Sequence, residues 1–400
     1  MKKAQRAPVL RTILSKVRPS QLILLSAVPF VLYLFITTSS YQRALVFIMP
    51  GLGTTIFVTV LAYLSASVLG IVLAGLLILK IGPHTLLRFA IAVAILLAAS
   101  LFFFTRPTLD YSLVGQVTGR VAIIKGTPAR LSNVIKAGTF VTAGEPTPLQ
   151  VRGVDSVETA LNRLESGVVT AIFLPSNLVP ADMPILWRVA FLPDGFRRPA
   201  IGLLALSIIL LLLIFGAWSS RHHPLAIFAE LYVDAMRGIP MLVIILYVGF
   251  PLQGAIRDAT GGLIDMSRVT RGIVGISLGY AAYMAEIFRA GIQAIPRGQV
   301  EAARSLGLSG WQTARFVVLP QALRIVIPPL GNEFIAMLKD TSLLSVLSVR
   351  DITQRAREFQ AATFQVFPPF NTVAVLYIVL TLAASSLVKW IERHSSAGRS

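Results

Sequence analysis

Apolar runs long enough to cross a bilayer recur along this 400-residue chain, and they limit its fold class more than any other feature. A transmembrane helix needs about 20 predominantly apolar residues. Eight runs reach or approach that length: 22–38, 51–79, 86–104, 200–218, 225–250, 271–290, 322–347 and 371–390. The composition agrees, with 55% hydrophobic residues and a mean hydropathy of +0.75, too apolar for a soluble domain of this size. Backbone groups in hydrocarbon must be satisfied within the chain, so the runs are expected as helices. The fold expected is an all-α polytopic membrane protein of about 8 transmembrane helices. The 51–79 run exceeds a bilayer's thickness and predicts tilt or a protruding end. The first run follows basic residues, as in a signal peptide. No small-residue cleavage pattern follows it, so it is read as a retained span.

A net charge of +18 invites a nucleic-acid partner, but its placement argues against one. With the N-terminus inside, eight crossings leave 1–20, 80–88, 219–224, 289–324 and 389–400 in the cytoplasm. These segments carry +15, against +5 on the outer segments 39–50, 105–199, 251–268 and 350–370. That is a positive-inside distribution, so most of the charge serves topology and contact with anionic lipid. Arg197 and Arg198 run against it at the outer end of the fourth span, where a long translocated segment is exempt. Cysteine is absent, which removes disulfide and thiolate chemistry.

The expected organisation is a cytoplasmic segment 1–21, a first membrane block 22–104 of three helices, and an outer insertion 105–199. A second membrane block 200–392 and a tail 393–400 follow. The insertion reads as a small α/β domain. Strand-like runs occupy 117–124, 149–154, 168–174 and 186–191, with helical patterns over 128–137 and 155–166, the second ended by Gly167.

Between the sixth and seventh spans lies a short basic helix–turn–helix segment, 296–320, with the features of a docking knob for a soluble partner. Pro296 can start a helix, because the first turn does not need its missing N–H. Gly307 can end that helix in a left-handed cap. Ser309 and Gln312 form an S-x-x-Q capping box for a second helix, which Pro320 is expected to limit. Ala302 and Ala303 are small and favour helix. Glu301 places a charge where a helix dipole or a partner's arginine could meet it.

The run Glu301-Ala302-Ala303, three residues, Gly307, nine residues, Val317, Val318, Leu319-Pro320 resembles the EAA loop of ABC-type importer permeases. Flanking pieces narrow the resemblance to the polar amino-acid family. They are Arg237 to Pro240, Ala285 to Ile292, Gly298-Gln299 and Lys339 to Leu344, with Gly51-Leu52, Thr54-Thr55 and Ser67 to Gly70 similar to the family's opening helix. The match covers about 50–80 and 225–392. It implies the binding-protein-dependent permease subunit of an ATP-driven amino-acid importer in the bacterial cytoplasmic (inner) membrane, with both termini cytoplasmic. Its implied partners are a cytoplasmic ABC ATPase subunit that docks on Glu301, Ala302, Ala303, Gly307, Leu319 and Pro320, a second permease subunit, and a soluble amino-acid-binding protein. Family members lack the 105–199 insertion. It resembles one lobe of the periplasmic amino-acid-binding proteins over Arg120 to Thr127 and Val157 to Gly167. Two readings stay open for it: a dock for the binding protein, or an insertion without a role.

No catalytic constellation is visible and no enzyme activity is expected of this chain. No Walker-type G-x-x-x-x-G-K-[ST] occurs, so ATP belongs to the partner subunit and no cofactor is expected here. His84, His222, His223 and His394 are scattered, without metal-ligand spacing. Ionisable residues inside spans are costly and are functional or paired. Asp234 and Arg237 are spaced to pair; Glu230 and Arg271 are read as structural. A substrate pathway is expected along Glu286, Asn332, Glu333, Lys339, Asp340, Thr341 and Ser342, near a break in the seventh helix at Pro328-Pro329. Two other classes remain as alternatives: an ion-coupled secondary amino-acid carrier, and a membrane sensor using the 105–199 domain. The first calls for inverted repeats, the second for a cytoplasmic signalling domain.

Overall fold

A computed structural model describes residues 29, 33–116, 119–140 and 148–396, so the first apolar run lies largely outside the described residues. The chain divides into two compact units: Met1–Lys80 with Leu225–Ser400, and Ile81–Pro224.

The first unit opens with α1 (Ser39–Ile48) and α2 (Pro50–Leu77). The interval 39–50, expected as an outer loop, is helical, because Ala44 and Ile48 bury against Ile352, Ala356, Phe359 and Leu376. Pro50 stands in the first turn of α2, where it costs no hydrogen bond.

The second unit comprises α3 (Thr85–Phe104), β1 (Leu109–Gly115), β2 (Arg120–Ile124), α4 (Ala129–Ala137), β3 (Gln150–Val154), α5 (Val157–Glu165), β4 (Ala171–Pro175), β5 (Ile185–Phe191) and α6 (Asp194–Ser220). Its sheet has the order β3-β2-β4-β1-β5. Strand β2 runs parallel to β3 and β4, and β1 antiparallel to β4 and β5. Both faces are buried: Leu113, Val121 and Phe173 pack with Leu131 and Ile135 of α4, and Val114, Ala122 and Ile172 with Ala160 of α5. The expected strands and helices are present with shifted edges. Strand β1 was not anticipated, since its apolar residues directly follow a span. Helices α3 and α6 pair, and the Ser100 hydroxyl donates to the Ala200 carbonyl at 2.9 Å.

Next come α7 (Pro224–Gly238), α8 (Met241–Tyr247), α9 (Gln253–Ala259), α10 (Arg268–Gln293), α11 (Arg297–Ser305), α12 (Gly310–Thr313), α13 (Leu319–Asp340), α14 (Ile352–Thr363) and α15 (Phe367–Ser396). The run 225–250 is not one helix. It breaks at Ile239 because Pro240 disfavours a helical residue before it. The apolar helix that follows extends to Ala259 through a π-turn at Val248–Leu252 that takes in Pro251. Glu230, Asp234 and Arg237 therefore lie on the separate, exposed face of α7. Arg237 stacks over the Tyr283 ring at 5.8 Å rather than pairing with Asp234.

Among the described residues, six helical stretches are long and apolar enough to span a membrane: Ser39–Leu77, Thr85–Phe104, Asp194–Ser220, Met241–Ala259, Gly310–Leu347 and Phe367–His394. Helix α10, expected as a span, is not one of them, yet it forms the centre of the first unit. Ile276, Tyr280 and Met284 pack with Val58, Ala62, Met337 and Leu344.

Candidate coupling knob and membrane polar cluster

Helix α11 starts after Pro296, which caps it from one residue earlier than expected. It ends at Ser305, and Gly307, two residues on, has a φ of +82° in the left-handed region. The Gly307 N–H donates to the Arg304 carbonyl at 2.9 Å, and the Leu308 N–H reaches back to Ala303 at 3.2 Å. This doubled closure satisfies carbonyls that a helix end would leave open, and a Cβ at Gly307 would strain it. Ser309 and Gln312 make the expected box: the Gln312 N–H donates to Ser309 Oγ at 3.3 Å, and the Ser309 N–H to Gln312 Oε1 at 2.8 Å.

The second helix does not stop at Pro320. The chain stays helical from Gly310 to Leu347, passing through a π-turn at Ala314–Val318 in which the Leu319 N–H bonds Ala314. Proline clashes with the carbonyl four residues back in a regular helix, and a widened turn relieves that contact. The knob is thus one short helix, a tight turn, and a second helix that continues into an apolar span. Glu301, Ala302, Gly307, Leu319 and Pro320 are exposed, while Ala303 is buried. Glu301 is the fifth residue of α11, beyond the first turn in which the helix dipole acts. Leu306, Trp311 and Phe316 are 81%, 69% and 64% exposed, an apolar surface edged by the exposed Arg304 and Arg315.

The pathway residues divide into separate groups. Glu286 holds Arg289 at 2.5 Å on α10. Glu333 and Asp340, seven residues apart on one face of α13, are half-buried. The Tyr280 hydroxyl donates to Asp340 at 2.9 Å. Asn332 and Lys339, also seven apart, are exposed, consistent with adjacent residues pointing to different faces. Thr341 is buried and donates to the Leu338 carbonyl, and half-buried Ser342 follows it in a 3-10 turn, Thr341–Leu347. The break expected at Pro328-Pro329 does not occur. Both prolines lie inside α13, and the regular helix ends at Asp340 instead. Tyr280, the residue that engages Asp340, was missed; its signal is one of two tyrosines, with Tyr283, set among the small residues of α10. Arg271 is structural as expected, held by Asp265 at 3.1 Å and the Met266 carbonyl at 2.7 Å.

A helix–turn–helix knob emerges from a helical, apolar core and is continuous with a span. Residues 209–396 match the family of binding-protein-dependent transport system inner membrane components. The chain is 36% identical to the glutamine transport system permease protein GlnP of Escherichia coli K12 over 179 residues, 45% of this chain and 77% of GlnP. It is 40% identical to the probable amino-acid ABC transporter permease protein YckA of Bacillus subtilis over 167 residues, 41% of this chain and 70% of YckA. A solved amino-acid ABC transporter with histidines matches at 37% identity with a TM-score of 0.39, covering 48% of this chain and 87% of that one. The chain belongs to the family of binding-protein-dependent transport system inner membrane components and is a membrane permease of the ABC importer kind.

Proposed function

We propose that this permease imports amino acids, driven by ATP hydrolysed on a separate cytoplasmic ATPase subunit that grips the knob Arg297–Pro320. The observation that carries the reading is the knob's construction: capped at both helices, exposed in Leu306, Trp311 and Phe316, and continuous with a span. A push on such a segment moves a membrane helix directly. A second permease subunit completes the pathway, and a soluble amino-acid-binding protein delivers substrate from outside. The amino acid passes along Glu286, Asn332, Glu333, Lys339, Asp340, Thr341 and Ser342. The chain resides in the inner membrane with both termini and the knob inside, and the sheet of the second unit lies outside as a dock for the binding protein.

Reconstitution with the ATPase and binding protein in proteoliposomes tests this reading. ATP-dependent uptake of a labelled amino acid is expected, with ATPase co-purifying with the permease. Gly307→Val, which forces a β-branched residue to positive φ, is expected to leave membrane insertion intact and abolish uptake. Full uptake by that variant, or labelling of Trp311 from outside, sinks the assignment. Deletion of 107–198 with a short linker decides the docking role: unchanged uptake removes it.

A further inference from the structure

The knob and the span share a backbone, but only one of the knob's two helices is continuous with the span. Motion gripped through α11 reaches α13 by way of the turn at Gly307 and of whatever ties α11 to the base of α13. Among the described residues, one side-chain hydrogen bond makes that tie. Gln321 Nε2 donates to Gln299 Oε1 of α11 at 2.6 Å and to the Val317 carbonyl at 2.9 Å. The second contact lies at the π-turn, where the change of hydrogen-bond pattern ahead of Pro320 alters which carbonyls the helix itself can serve. Both donor hydrogens of one amide are used, so the α11 tie and the π-turn are fixed by the same group. Gln299 and Gln321 lie on opposite sides of the turn, 22 residues apart in sequence.

We infer that Gln321 is a positioning residue for coupling, bracing the first knob helix and the π-turn against the base of α13 so that displacement of the knob moves the span as one body. The inference rests on the proposed coupling role of the knob. It adds to that role a specific mechanical link, which neither a bare E-A-A spacing nor the exposure of the knob supplies.

The test uses the complete assembly of permease, ATPase and binding protein in proteoliposomes, reading import and ATP hydrolysis together. Gln321→Ala is expected to keep ATPase binding and hydrolysis while import per ATP falls about tenfold, the ratio that one hydrogen bond of ordinary strength represents. Gln299→Glu with Gln321→Lys restores a donor–acceptor pair of the same reach and is expected to recover most of the lost coupling; a merely structural role would not predict recovery of the ratio alone. The chain has no cysteine, so Gln299→Cys with Gln321→Cys gives a single thiol pair. An oxidised cross-link that leaves import intact supports the brace, and one that stops import while ATPase stays bound overturns it. An unchanged ratio in Gln321→Ala also overturns it. Should Gln321→Ala fail to assemble, the cross-link arm decides. If the unaltered complex neither binds ATPase nor imports, the coupling reading fails instead, which is a distinct result.

Discussion

Helix α10 buries eleven of its 26 residues but is less apolar than the spans, whereas α3 and α6 are strongly apolar and bury little: Val93 and Ser100 on α3, and Ala200, Ser207, Leu213 and Ala217 on α6. Hydropathy therefore reports what a helix shows to its surroundings, not how central it is. Lipid tails are as apolar as leucine, so helices in a bilayer gain little by hiding leucines from it and associate through close packing of small residues and polar contacts. Helix α10 has that composition, with Gly272, Gly275, Ser277, Gly279, Ala281, Ala282 and Ala285 all buried. Helices α3 and α6 present Ile95, Leu101, Leu212 and Phe215 outward.

The sharpest way to break this comparison is to add volume to each kind of helix. A Cβ at Gly70 of α2 would stand 2.8 Å from Met284 Cβ and 3.2 Å from the Ala285 nitrogen of α10. Those neighbours are backbone or close to it and cannot swing aside. Gly70→Val is expected to lose about 3 kcal/mol, the upper part of the overpacking range, seen as a large drop in thermal midpoint in detergent. Ala98→Val on the exposed side of α3 should stay within about 0.5 kcal/mol, as surface changes do. Equal effects would end the distinction between the two kinds of helix.

A smaller change probes the polar side of α10. Tyr280→Phe keeps the ring in the core but leaves Asp340 without its 2.9 Å donor. A hydrogen bond to a charged group is worth about 2 kcal/mol, so the midpoint should fall by less than for Gly70→Val. If uptake changes beyond what that stability loss explains, Asp340 belongs to the substrate path. If only stability changes, the contact holds α10 to α13 and nothing more.

The knob was legible in sequence because its signals are local. A left-handed glycine at 307 and the Ser309–Gln312 box act within five residues and need no partner element. Span limits were less legible, because the prolines do not act alike: Pro240, inside an expected run, ends a helix, whereas Pro320, Pro328 and Pro329, expected to limit or break one, do not. Pro251 is taken into a π-turn, Pro320 follows one directly, and Pro328 and Pro329 stay within α13. Helix breakers are tolerated in membrane helices when freed backbone groups find other partners, as the Val317 carbonyl does in the Gln321 side chain. Tyr280 was missed because its role exists only once α10 lies beside α13. The parallel strands β2, β3 and β4 were readable between turn signals. Strand β1 was hidden by its position directly after an apolar span.

The least of the expected effects concerns a charge in the buried interior between spans. Asp351 is 1% exposed and caps α14, accepting the Gln354 N–H at 2.7 Å, while its Oδ2 has no partner. Burial pushes its carboxyl up to about 6, against the bonds from backbone amides that favour the charged form. A folded-state pKa above the ordinary carboxylate value means that the folded protein holds this proton more tightly than the unfolded chain does. The associated stability is present at pH below about 4 and is lost as pH rises through about 6. Asp351→Asn keeps an oxygen for the cap, since asparagine caps as well as aspartate, and removes the charge. At pH 8 it should gain about 1 kcal/mol, the low end of what a buried unpartnered polar atom costs, and that gain should shrink to nothing near pH 4. Thermal midpoints of both proteins across pH 4 to 8 test it. An Asp351→Asn variant less stable than the parent at pH 8, with the difference closing toward acid, would mean that the carboxylate is stabilised by a partner rather than strained by burial, and would place this site with α10, where polar groups are built into the core, rather than with the apolar-facing helices, where charge is kept out.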